Sequence, residues 1–188
     1  DYLLEMAPDS PQAPRWRSLR EGIAKNVRTH LWDEKRQKFI PHIYPEKSPI
    51  PEGFDELAIH YHGGTAIAIE AGLLSKDEIR TVNAQMLENV RLSGMPSIGL
   101  TLYPVYPDGF FHGGMSKAYL YQNGGDWTWF GGRMIQQLVV NGMVEEAYAE
   151  IHPMIERVIQ NDGFYEWYGK GGVPSGSGNF KGSAGVLS

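Results

Sequence analysis

The pattern that most constrains this chain is a helical hairpin written twice, each time opened by a Gly-Gly pair and turned by a single glycine. The first copy runs Tyr61-His62-Gly63-Gly64, a helical stretch, Gly72, then Ser75-Lys76-Asp77-Glu78 and a second helical stretch. The second runs Tyr121-Gln122-Asn123-Gly124-Gly125, a helical stretch, Gly142, then Glu145-Glu146 and a second helical stretch. A glycine between two apolar-periodic stretches reads as the turn of an antiparallel pair. The turn glycines lie about seventy residues apart, which is long for a solenoid repeat. Each pair is preceded by a long loop rich in aromatic and polar residues. An all-α scaffold of hairpins arranged as a toroid, with its loops converging on one mouth to make a carbohydrate-type site, accounts for both facts.

The rest of the chain fits that frame. Residues 1–12 read as a connector. Arg15 to Leu31 reads as a helix with Trp16, Leu19, Ile23, Val27 and Leu31 on one stripe. A turn and a short extended piece follow from Trp32 to Ile40, and Pro41, Pro45, Pro49 and Pro51 forbid a helix beyond it. Leu57 to Leu73 is the next expected helix. Ser75 and Glu78 form a capping box for the one after it, which runs to about Leu92. Trp127 to Val140 and Met143 to Gln160 complete the second pair, with a kink expected at Pro153. Residues 94–125 and 164–180 are long loops, and loops of that length in a compact domain carry function. The closing residues 182–188 read as the first turns of a further helix.

Composition narrows the function classes. A chain of 188 residues can bury a core, and one domain over residues 1–188 is expected. Lys and Arg number 17 against 22 Asp and Glu, with no basic block, so a nucleic-acid partner is not indicated. No apolar run reaches membrane-spanning length. Cysteine is absent, which excludes disulfides and thiolate metal sites. With 23 Gly and 12 Pro, the loops must be long and shaped.

Glu166 is the sharpest candidate for chemistry. It sits in Phe164-Tyr165-Glu166-Trp167-Tyr168, a carboxylate among rings. Aromatic faces stack on sugars, and a carboxylate in partly dry surroundings is tuned toward general-base work. The plainer reading is a carboxylate that accepts hydrogen bonds from nearby glycine-rich backbone. Asp126, in Gln122-Asn123-Gly124-Gly125-Asp126-Trp127, is second: either it reaches ligand hydroxyls or it caps the helix that follows. His60 and His62 flank Tyr61. A metal site would need an extended backbone and a third ligand, so hydrogen bonding to substrate or loops is preferred. Asp55 and Glu56 are a reserve acid pair or a solvated helix start. Trp127, Trp129, Trp167 and Tyr165 offer sugar-stacking faces or core packing, and Arg133 offers either a partner for Asp126 or Glu166 or a surface salt bridge. The Gly-Gly pairs match no phosphate-binding loop, and no Gly-x-Ser-x-Gly elbow is present.

The chain resembles the six-hairpin (α/α)6-toroid glycoside hydrolases, especially the neutral/alkaline invertase and amylo-1,6-glucosidase-like groups. Tyr121-Gln122-Asn123-Gly124-Gly125-Asp126-Trp127 is similar to the family's Tyr-His/Gln-Asn-Gly-Gly-x-Trp segment. Tyr165-Glu166-Trp167-Tyr168-Gly169 is similar to its late Glu-Tyr-Tyr-Asp-type segment. Phe180-Lys181-Gly182-Ser183-Ala184-Gly185 is similar to the Trp-Ser-x-Ala-Gly opening of the last hairpin. Order and spacing agree. The resemblance implies hydrolysis of a glycosidic bond, commonly with inversion, and no metal or organic cofactor. It implies that Glu166 is the general base and that Gln122, Asn123, Asp126 and Trp127 line a sugar subsite. It covers about the C-terminal half of a family member, with the general acid in an earlier hairpin. Exposed helix faces would then seat the missing N-terminal half or a second copy. A non-catalytic carbohydrate-binding homologue, a sugar phosphorylase and a helical scaffold are the other readings.

Overall fold

The computed structural model describes residues 1–187. Its described residues form seven α-helices: α1 (Tyr2–Met6), α2 (Ala13–Leu31), α3 (His62–Glu70), α4 (Lys76–Ser93), α5 (Thr128–Val140), α6 (Val144–Gln160) and α7 (Lys181–Leu187). The helix expected from residues 182–188 is α7, and Ser188 lies outside the described residues. Gly72 and Gly142, both at positive φ, turn the α3–α4 and α5–α6 pairs. Ser75 and Glu78 form the reciprocal capping box at the start of α4, and Gly94 ends that helix in the left-handed conformation. α6 continues as one helix through Pro153.

The helices lie in two rows, the arrangement of an (α/α)-toroid. α3, α5 and α7 pack side by side as the inner row. They run in the same direction: Gly63 lies against Phe130 and Glu70 against Arg133, while Gly182 lies against Trp129 and Gly132 against Val186. A Cβ on Gly63 or Gly132 would collide with the Phe130 ring or the Val186 side chain, so these glycines set the close spacing of the row. α2, α4 and α6 form the outer row, joined by Arg28 to Glu78 at 2.8 Å and Asn83 to Glu150 at 2.7 Å. Between the rows sits the main core, with Ala66, Ile69, Ile79, Val82, Met86, Met134, Leu138 and Met154.

Three expectations change. Residues 1–12, expected as a connector, carry α1. The helix expected from Leu57 begins only at His62, because residues 56–61 are drawn into other structure. Glu56–Ala58 form a 3-10 turn, and His60–Tyr61 pair with Leu102–Tyr103. The stripe of α2 is not sealed in a core. Leu19 and Ile23 remain exposed, and Trp16 is half-buried beside a groove shared with α1 and the Gly72 turn.

The long loops enter the inner helices at their N-terminal ends, and there they are laced together. Strands β1 (Trp32–Asp33) and β2 (Lys38–Phe39) form a hairpin after α2. β3 (His60–Tyr61) pairs with β4 (Leu102–Tyr103). Leu100 bridges to Asp126, and Asp126 bridges in turn to Tyr168. Tyr168 belongs to β5 (Trp167–Tyr168), which pairs with β6 (Pro174–Ser175). The segments just before α3, α5 and α7 thus form a belt of main-chain bonds around one mouth.

Candidate active site

Glu166 stands at this mouth. Its backbone N–H donates to Ser177 O at 2.9 Å, which fixes the strand-like segment that carries it. Its carboxylate has two longer contacts: the Tyr121 hydroxyl lies 3.4 Å from Oε1, and the Ser177 N–H lies 3.4 Å from Oε2. Gly176, at positive φ, leaves room for the carboxylate, since a Cβ there would fall against Oε2 and the Glu166 Cβ. The group is half-buried.

Rings wall the site. Tyr121 stands edge-on to Trp127, with centroids 4.9 Å apart, and edge-on to Trp167 at 6.2 Å. Trp127 donates its indole N–H to Tyr121 O at 3.2 Å and meets Phe180, which precedes α7. Tyr121 itself has φ +49 and so sits in the left-handed region, uncommon for a tyrosine. Burial and the Glu166 charge raise its hydroxyl above the usual phenol range, so it remains a donor. Gln122 is exposed beside it, with its backbone oxygen accepting from the Thr101 hydroxyl. Tyr165 is half-buried, packed on Gly163, Gly178 and Tyr168.

The other candidates fall elsewhere. Asp126 is fully buried, and its side chain does not cap α5, whose N-cap is Trp127. It is bound by Arg157 Nη2 at 2.7 Å and by the Ser97 hydroxyl at 2.7 Å. Asn123 is also fully buried and pins the 101–125 loop, accepting from Tyr106 N at 2.9 Å and donating to the Tyr106 and Lys117 carbonyls. His62 is buried against Asn89 at 3.1 Å, and burial pushes its imidazole down to about 3. His60 is held well below the ordinary imidazole value by burial and by neighbouring His62 and Lys38. Arg133 pairs with Glu70 at 2.6 Å and lies over the half-buried Trp129 ring, so it reaches neither Asp126 nor Glu166. Among the described residues no three His, Asp or Glu side chains converge as a metal site. No helix among them is long and apolar enough to cross a membrane.

A second carboxylate cluster occupies the loop lobe between residues 41–61 and 103–111. Glu56 Oε1 receives the Tyr106 hydroxyl at 2.6 Å, His42 Nδ1 at 2.7 Å and the Tyr44 hydroxyl at 2.8 Å. Burial pushes its carboxyl up, but these three contacts outweigh burial and hold it below the usual range. The aromatic packing of Phe54, Phe110 and Phe111 on Tyr106 builds this lobe. The sequence marked Glu56 as a reserve acid but gave no sign of its three partners, which come from two distant loops. Arg157 carried one sign. With Ala147, Glu150 and Met154 it forms a stripe at helical spacing, and charged residues on such a stripe are buried for a reason.

No protein-family model matches the chain, and no curated protein matches it. Solved structures do. The chain is similar to the GH63 mannosylglycerate hydrolase of Thermus thermophilus, in its complex with Tris and D-glycerate, at TM-score 0.68 and 16% identity. The same enzyme in complex with glucose gives TM-score 0.67 and 17% identity. Each alignment covers 99% of this chain and 40% of the other. The chain therefore has the fold of part of that glycoside hydrolase, an (α/α)-toroid, and spans about 40% of its length.

Proposed function

We propose that this chain is the base-bearing part of a glycoside hydrolase catalytic site. The observation that carries the reading is Glu166: a half-buried carboxylate at the common mouth of the inner helices, touched by Tyr121 and walled by Trp127 and Trp167. The similarity to a mannosylglycerate hydrolase supports the same class of chemistry. In this reading Glu166 takes a proton from water as the water oxygen attacks the anomeric carbon. The glycosidic bond breaks, and a carboxylic acid on the opposite face protonates the leaving oxygen. An inverting reaction requires roughly 6.5–9.5 Å between the two groups, to admit the water.

The acid is not Glu56 or Asp126. Glu56 is held ionised by its three partners, and Asp126 is sealed against Arg157 and Ser97. We assign the acid to a residue beyond the ones described, consistent with a chain that spans 40% of the similar hydrolase. Trp167, Tyr165 and the exposed Gln122 supply stacking faces and hydroxyl contacts, while the buried Trp127 backs Tyr121 from behind. His62, Asn123 and Asp126 act behind the site, as supports for the loops that carry it.

The test is a proton NMR time course of the full-length protein on mannosylglycerate and on glucose-terminated oligosaccharides, alongside Glu166→Gln. The expected result is hydrolysis by the parent, none by the variant, and retained sugar binding by both. The first anomer released reads out inversion. Equal rates for parent and variant would remove Glu166 as the base. Binding without hydrolysis by either would favour the carbohydrate-binding alternative, and turnover only with added phosphate would favour the phosphorylase.

A further inference from the structure

The Glu166 carboxylate is not itself pinned by close partners, since both of its side-chain contacts are 3.4 Å long. Its position is set by its backbone, and that backbone is held at two places. Outward, Glu166 N–H bonds Ser177 O. Inward, two residues along, Tyr168 exchanges main-chain bonds with Asp126, N to O at 2.8 Å and O from N at 2.9 Å.

Arg157 grips that inward anchor from behind. It lies on α6, nine-tenths buried, with Nη2 2.7 Å from Asp126 Oδ1 and 2.8 Å from the Thr128 hydroxyl. Its guanidinium carbon lies 4.0 Å from the centre of the Tyr168 ring. One planar cation thus contacts both residues of the Asp126–Tyr168 bridge and the first residue of α5. Ser97 holds the remaining Asp126 oxygen. A buried ion pair is often no more stabilising than apolar packing of similar volume, but here one nitrogen, Nη2, meets both Asp126 and Thr128 while the guanidinium plane lies over the Tyr168 ring, so the cation ties all three together.

We infer that Arg157 is a positioning residue for Glu166, acting through Asp126 and Tyr168. The inference rests on the reading of Glu166 as general base. A cavity of about 210 Å³ is lined by Arg157 with Gln160, Asn161, Gly171 and Gly172.

The test uses the full-length protein, mannosylglycerate as substrate, and two variants. Arg157→Lys keeps the charge but loses the planar group over Tyr168 that places it. Arg157→Gly opens the space for guanidinium added at low millimolar concentration. Both are read by kcat, KM and the side-chain carboxyl ¹³C resonance of Glu166, assigned by its loss in Glu166→Gln. Positioning predicts that Arg157→Lys lowers kcat at least 30-fold with KM within threefold and moves the Glu166 resonance. It also predicts that guanidinium raises the kcat of Arg157→Gly at least tenfold. A folded Arg157→Lys with kcat within threefold of the parent and an unmoved resonance would overturn it. If Arg157→Gly does not fold, Arg157→Lys decides alone. Equal turnover by the parent and Glu166→Gln would instead sink the base reading, and the Glu166 resonance would then decide, without turnover, whether Arg157 holds that side chain.

Discussion

The Tyr121 hydroxyl lies 3.4 Å from Glu166 Oε1, while the Tyr121 ring stands edge-on to both Trp127 and Trp167. One residue therefore connects the Glu166 carboxylate to two of the rings around it. Tyr121→Phe should keep the ring wall and remove only the hydroxyl. Turnover is expected to fall about tenfold, with about 1 kcal/mol or less lost in stability. Steady-state kinetics with a thermal melt check this, and unchanged kcat would separate the hydroxyl from the chemistry.

Asp126 separates a support from a sugar ligand. Asp126→Asn keeps the shape and leaves Arg157 buried without its counter-charge. The expected loss is about 3–5 kcal/mol of stability. Denaturant unfolding measures it. Lost sugar affinity with undiminished stability would return Asp126 to the subsite.

Stability should depend on pH through two buried groups of opposite sense. Burial pushes Glu150 up to about 7, against a hydrogen bond from Asn83 and with help from Glu146. Its contribution is fully present below about pH 4.5 and is lost as pH rises through 7. Burial lowers His62 to about 3, so its contribution is fully present above about pH 6.5 and is lost as pH falls toward 3. Glu150→Gln should thus gain roughly 3 kcal/mol over the parent at pH 8, and the gain should vanish below pH 4.5. Melts across that range test the sign: a variant no more stable at pH 8 than at pH 4, relative to the parent, would refute it.

Gly63 sets the distance between α3 and α5. Gly63→Ala places a methyl group into the Phe130 ring and is expected to cost about 1–3 kcal/mol. Gly22 faces open space within its helix, so Gly22→Ala should be neutral or stabilising. A melt of the two variants side by side gives the contrast.

What could be read from the sequence was local. The glycine turns at 72 and 142 and the Ser75–Glu78 capping box each depend on a few neighbouring residues, and all three are present. Glu166 could be singled out because its ring neighbours adjoin it in the chain. The misread parts are tertiary. Residues 57–61 have helical composition, but pairing with 102–103 takes them out of the helix. Asp126 looked like a cap because a helix follows it, whereas its partner Arg157 sits on a different helix of the hairpin. Arg133 lies on α5, as expected, but takes the salt-bridge alternative with Glu70. His62 and Asn123 have the chemistry of ligands, and only the packing of neighbouring loops reveals that they face inward.

The belt of short pairings at the mouth is made of main-chain bonds, from Tyr61–Leu102 through Leu100–Asp126 to Asp126–Tyr168. Such bonds are made by backbone atoms, and side chains bear on them only where they are gripped, as Asp126 and Tyr168 are by Arg157. An exposed residue at the rim, such as Gln122, can therefore be exchanged without moving the frame. A scaffold built this way keeps the shape of its mouth separate from the chemistry of its rim, so the two can change independently, one rim residue at a time.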